Sequence, residues 1–210
     1  MIRIITDSLC DLTMEYAKEI NIDILPLNVR FGEEEYKCGI ELSNEDFYTK
    51  LEENSNPPST SAVNPYDFEE IFQRYTDAGD DVVAIIFSKG MSATFQSAYI
   101  AQEKVGSDRI HLIDCENGAM GQSLLVKTAV SLRDAGKNAQ EIEDAIRKLL
   151  PQTKTYIVID TMEYLKRGGR ISKSAALIGG LMKLHPVLQV VADGAKPVDK
   201  VKGKKSCNAW

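Results

Sequence analysis

Histidine and tryptophan are nearly absent from this 210-residue chain, which holds only His111, His185 and Trp210. Two histidines are too few for a histidine-rich metal site, and no metal is expected. The four cysteines, Cys10, Cys38, Cys115 and Cys207, form no CxxC pair and no framework spacing. They read as free thiols of a reducing compartment, so a cytoplasmic protein is expected. No apolar run approaches the ~18 residues of a membrane span. Met1–Ile2–Arg3–Ile4–Ile5 enters a strand-like run directly, without the long apolar region and cleavage site of a signal peptide. Basic charge is in deficit, 25 Lys and Arg against 31 Asp and Glu, which argues against a nucleic-acid partner. The five lysines of 196–205 lack interleaved aromatics and read as a solubilised hairpin edge.

Two catalytic signatures are also missing. The chain has no P-loop, GxxxxGK followed by Ser or Thr. It has no GxSxG either, because Gly90–Met91–Ser92–Ala93–Thr94 ends on threonine where that motif needs glycine. An activated serine requires a base within hydrogen-bond reach, and neither histidine is an evident candidate. Abundant hydroxyls without an acid–base pair point to binding rather than turnover, so the chain is expected not to be an enzyme and to need no cofactor.

What is present is an ordinary globular composition, 43% hydrophobic and 27% charged. A chain of this length buries about 70% of its unfolded surface, so its core needs no disulfide or metal. Strand-like and helical patterns alternate through the first two thirds. Ile2–Thr6 and Ile24–Phe31 read as strands, and Leu12–Ile20 is amphipathic between them. Ser43–Asn44–Glu45–Asp46 resembles a capping box opening a helix with Phe47, Tyr48 and Leu51. The polar stretch 52–64 ends at Asn64–Pro65, a helix start whose apolar face is Phe68, Ile71, Phe72 and Tyr75. Val82–Phe87 is continuously apolar, as in a strand covered on both faces. Helices are expected from about Ser92 to Val105, from Met120 to Ala135 and from Asn138 to Leu150, with strand Ile110–Asp114 among them.

This alternation predicts right-handed βαβ crossovers, a parallel sheet and helices on both faces. After Pro151 the pattern changes. Thr155–Ile159 is a strand, Met162–Lys166 a short helix and Ser172–Leu184 another. Pro186–Ala192 and Lys196–Val201 flank Asp193–Gly194, a hairpin signal. The expectation is an α/β chain of two domains. Residues 1–150 form a three-layer parallel-sheet domain, and residues 151–210 form part of a smaller α/β domain with antiparallel strands.

In parallel α/β sheets ligands bind beyond the carboxyl ends of the strands. Three such ends are visible: Asp7–Ser8, Ser88 to Thr94, and Asp114 to Gly118. Ser92 and Thr94 open a helix whose free N–H groups favour an anion, and Thr60–Ser61 also precede a helix start. If the two segments converge, they form a cradle for a carboxylate or phosphate. The competing reading is local, since the same residue types serve as N-caps worth ~1 kcal/mol each. Asp7 and Asp114 alone are weak evidence of a metal.

Together these segments resemble the DegV family of bacterial fatty-acid-binding proteins. The matching pieces are Thr6–Asp7–Ser8, Pro58–Ser59–Thr60–Ser61, Phe87 to Ala98, Met120–Gly121–Gln122, Glu163 to Ile171, Asp193–Gly194 and Lys200 to Lys205. The resemblance implies one long-chain fatty acid in a buried tunnel between two domains. It implies that Thr60 and Ser92 hold the carboxylate, with Ser61 and Thr94 supporting them. It further implies that a separate fatty-acid kinase phosphorylates the presented carboxylate to an acyl phosphate, docking at Arg170 and at Lys202, where the family has arginine.

The chain departs from the family pattern at Ala62–Val63, in place of Gln–Pro, and at Ala93, in place of glycine. His185 stands where lysine is common. The family continues past the lysine-rich segment, whereas this chain ends at Ser206–Cys207–Asn208–Ala209–Trp210, so a second domain incomplete at the C-terminus is expected. Two other readings stay open: a small-molecule phosphotransferase or hydrolase using the same strand-end site, and a truncated product that no longer binds lipid.

Overall fold

The computed structural model describes residues 1–54, 56–161, 163–170 and 184–202. In chain order the first half runs β1 (Ile2–Asp7), α1 (Met14–Glu19), β2 (Ile22–Leu25), β3 (Asn28–Phe31), β4 (Glu34–Lys37), α2 (Asn44–Glu53), β5 (Ser59–Ser61) and α3 (Pro65–Asp77). It continues with β6 (Asp81–Ile86), α4 (Thr94–Val105), β7 (Ile110–Asp114), α5 (Ala119–Asp134) and α6 (Ala139–Leu149). The last elements are β8 (Tyr156–Val158), α7 (Glu163–Arg167), β9 (Leu184–Val191) and β10 (Gly194–Lys202).

β2, β1, β6 and β7 form a parallel sheet in that order. The apolar run of β6 divides by the two-residue period of a strand. Val83 and Ile85 pack with Leu125, Val126, Ile142 and Ile146 of α5 and α6. Val82, Ala84 and Ile86 pack with Phe68 and Phe72 of α3 and with Ala98 of α4. Helices therefore cover both faces, as the continuous apolar run predicts. The α3 start is also as read: Asn64 Oδ1 accepts from the Tyr66 N–H, with Pro65 at the first helical position. Asn138 and Glu141 make a reciprocal capping box at α6.

The expected second strand needs correction. Ile24–Phe31 is not one strand, because Pro26, which lacks an N–H, breaks it. Its first part belongs to β2 in the parallel sheet, and its second part is β3, the centre of a separate antiparallel sheet β4-β3-β5. Val29, Phe31 and Leu42 form that sheet's small core, with Phe47 of α2 packed on it. Thr60 therefore sits on β5 rather than in a loop, paired with Val29.

The Asp193–Gly194 hairpin forms as expected between β9 and β10, and β8 adds to β9 in an antiparallel sheet β10-β9-β8. The helix expected over Ser172–Leu184 lies outside the described residues, except that Leu184 begins β9.

Candidate functional site: a cavity at the strand ends

A cavity of about 710 Å³ opens beyond the carboxyl ends of β1 and β6, within the ~300–1,000 Å³ typical of ligand sites. Its walls come from three parts of the chain. Ser8, Leu9, Phe87, Met91 and Ser92 belong to the loops after β1 and β6. Leu27, Val29, Cys38, Phe47, Leu51 and Thr60 come from the small sheet and α2. Tyr164, Leu165, Arg167 and Arg170 come from α7 and the turn after it. Most of this lining is apolar, interrupted by Ser8, Ser59, Thr60 and Ser92 and by the two arginines.

Ser92 does not open α4, as the sequence suggests. The helix begins at Thr94, and its N-cap, Ala93, makes no side-chain cap bond. Ser92 instead ends a tight turn in which the N–H groups of Met91 and Ser92 both donate to Ser88 O. Its Oγ accepts from the Thr94 N–H at 3.2 Å and lies 2.9 Å from Thr94 Oγ1. Thr94 is fully buried and is not part of the cavity lining, but it fixes the Ser92 hydroxyl. Ser61 is exposed and off the lining, whereas its β5 neighbours Ser59 and Thr60 both belong to it.

Arg170 reaches the cavity edge, where its Nε donates to Met91 O at 3.4 Å. Arg167 beside it is ion-paired with Glu163. Lys202 closes β10 opposite Leu184 and is not part of the cavity wall. The structure thus brings Thr60, Ser92 and Arg170 to one cavity and leaves Lys202 apart from it.

Both strand-end aspartates are engaged in hydrogen bonds. Asp114 Oδ1 accepts from the Glu116 N–H, and its Oδ2 faces Lys89 Nζ at 3.6 Å. Asp7 is fully buried, caps the 3₁₀ turn Ser8–Cys10 through the Leu9 N–H and accepts from the Phe87 N–H at 2.7 Å. Burial pushes its carboxyl up to about 6 against these hydrogen bonds. Among the described residues no group of three or more His, Cys, Asp or Glu is placed to hold a metal ion. The Cys10 thiol is pushed up to about 11 by burial, which leaves it neutral and unreactive.

Residues 1–210 match the family model described as "Uncharacterised protein, DegV family". The chain belongs to the DegV family. A DegV domain-containing protein of Caldanaerobacter subterraneus is 34% identical over 209 residues, covering 100% of this chain and 74% of that protein. Another, from Clostridium perfringens, is 36% identical, covering 96% of this chain and 72% of that protein. Two solved DegV structures overlay closely. The Thermus thermophilus fatty-acid-binding protein has a TM-score of 0.89 at 26% identity, covering 99% of this chain and 74% of that one. Bacillus subtilis DegV, a fatty acid binding protein, has a TM-score of 0.88 at 28% identity, with the same coverage.

Against the DegV frame, sequence reasoning missed much of the wall. Phe87 and Met91 lie inside a motif already singled out, and Leu9 directly follows another, so their neighbours' hydroxyls were the available signal. Val29, Cys38 and Phe47 carried none, because nothing in their local spacing reveals the small sheet that brings them to the cavity.

Proposed function

We propose that this chain binds one long-chain fatty acid, with the carboxylate at Thr60 and Ser92 and the alkyl chain in the apolar cavity. The supporting observation is that Thr60, from the small sheet, and Ser92, from the turn after β6, are distant in sequence yet line one mainly apolar cavity. Charge-assisted hydrogen bonds suit a carboxylate, and each buried CH₂ contributes ~0.8 kcal/mol. The two DegV structures described as fatty-acid binding support the ligand class. The Ser92 hydroxyl is bonded to Thr94, a neighbour that offers it no general base, which favours holding a ligand over attacking one.

In the same reading the protein works in the cytoplasm and divides into two units near residue 150. It presents the bound carboxylate to a separate fatty-acid kinase that docks through Arg170 and Lys202. Native mass spectrometry with lipid extraction tests the binding step. One fatty acid per chain is expected, and a folded chain that neither carries nor takes up fatty acid overturns the reading.

A further inference from the structure

Among the described residues, Asp7 is the one fully buried carboxylate that touches both strand-end loops of the cavity. Its Oδ1 accepts from the Leu9 N–H at 3.0 Å and its Oδ2 from the Phe87 N–H at 2.7 Å. Leu9 and Phe87 both line the cavity, and Phe87 leads directly into the Ser88–Ser92 turn. Gln122 Nε2 from α5 completes the arrangement, donating to Asp7 Oδ2 at 3.3 Å and to Thr6 Oγ1 at 2.9 Å. A buried carboxylate is a costly way to satisfy two backbone N–H groups, so its retention calls for a reason beyond folding.

We propose, building on the fatty-acid reading above, that Asp7 is the positioning residue of the carboxylate anchor: it ties Leu9 to Phe87 and so holds the turn that presents Ser92. The tie depends on ionisation, because a protonated carboxyl loses acceptor capacity toward the two N–H groups. Lipid is therefore held tightly while Asp7 is ionised and more loosely once it takes up a proton. Gln122 is the side chain that meets this carboxylate. Its Nε2 serves the carboxylate, and its Oε1 is buried without a hydrogen-bond partner among the described residues.

The groups facing Asp7 come from each element around it. They are Cys10 from the 3₁₀ turn, Cys115 from the end of β7, Gln122 from α5 and the Phe87 N–H after β6. Burial holds both thiols neutral, and Asp11 and Asp114 act on those thiols. The rise of the Asp7 carboxyl to about 6 comes from burial, opposed by its three hydrogen bonds, which puts the change in a mildly acidic range.

The test measures stearate affinity of the 210-residue chain and of Asp7→Asn between about pH 8 and pH 5. Wild-type affinity falls as the pH drops through 6, beyond any loss that the ligand's own titration imposes on both proteins. Asp7→Asn binds at least tenfold more weakly at pH 8 and lacks the added fall. Equal affinity and equal pH profiles overturn the assignment. Wild type that binds no stearate at any pH overturns the fatty-acid reading instead. In case the variant does not fold, a ¹³C carboxyl NMR titration of wild type gives a second readout. By linkage, stearate lowers the Asp7 midpoint, and an unchanged midpoint on loading overturns the proposal.

Discussion

Gly90 and Gly194 meet backbone to backbone: a Cβ built on Gly90 would stand 2.4 Å from Gly194 N and 2.5 Å from Ala192 O. The β9–β10 turn is thus seated on the Ser88–Ser92 turn, and Ser88 Oγ donates to Val191 O at 3.3 Å across the same contact. The loop presenting Ser92 is held from one side by Asp7 and from the other by this hairpin.

Gly90→Ala is expected to push the two turns apart, because the atoms it would meet are all backbone and no side chain can swing away. Overpacking of this kind costs about 1–3 kcal/mol. Chemical denaturation should show that loss, and stearate binding should weaken with it. Stability and affinity both at wild-type level would show that the hairpin does not seat here.

Ser92→Ala removes the hydroxyl but leaves the turn's backbone bonds to Ser88 O in place. A hydrogen bond to a charged group contributes ~1.5–3 kcal/mol, so affinity for stearate should fall roughly 10- to 150-fold. Thr60→Val, nearly isosteric, should fall by a similar factor. Isothermal titration of both variants checks this, and unchanged affinity removes the residue concerned from the anchor.

Fatty-acid chain length offers a test that leaves the protein intact. With ~0.8 kcal/mol per buried CH₂, each methylene should strengthen binding about fourfold until the cavity is full. A competition series from twelve to eighteen carbons measures the slope. Affinity independent of chain length would mean that the alkyl chain lies outside the cavity.

Asp7 also predicts a pH dependence of stability. Its folded carboxyl stands at about 6 against an unfolded value near 3.8, so the folded state binds the proton more tightly. The stability this group contributes is complete below about pH 4 and is lost as the pH rises through 6, a difference of roughly 3 kcal/mol. Asp7→Asn should therefore match or exceed wild-type stability at pH 8 and lose that advantage toward pH 4. Denaturant midpoints across this range check it. A variant much less stable than wild type at pH 8 would mean that the carboxylate serves the fold rather than the site.

The parallel sheet was legible because its signals are local. The apolar run of β6, the Asn64–Pro65 start of α3 and the Asn138–Glu141 box each specify an element without help from distant residues. The small sheet was not, because β5 is three exposed polar residues, Ser59–Ser61, whose strand character comes only from pairing with β3. The Pro26 break was visible in sequence, yet two β-branched and apolar segments on either side outweighed it. At the site, Thr60 and Ser92 could be picked out as hydroxyls near helix starts. Their meeting at one cavity depends on the tertiary arrangement of two sheets, which no local spacing encodes.

The most direct test follows the carboxyl carbon of [1-¹³C]stearate by NMR as it binds wild type, Ser92→Ala and Thr60→Val. A single bound resonance displaced from free stearate is expected with wild type, and each variant should return it toward the free position. No bound resonance with wild type, or the same bound resonance in all three proteins, would contradict an anchor at Thr60 and Ser92.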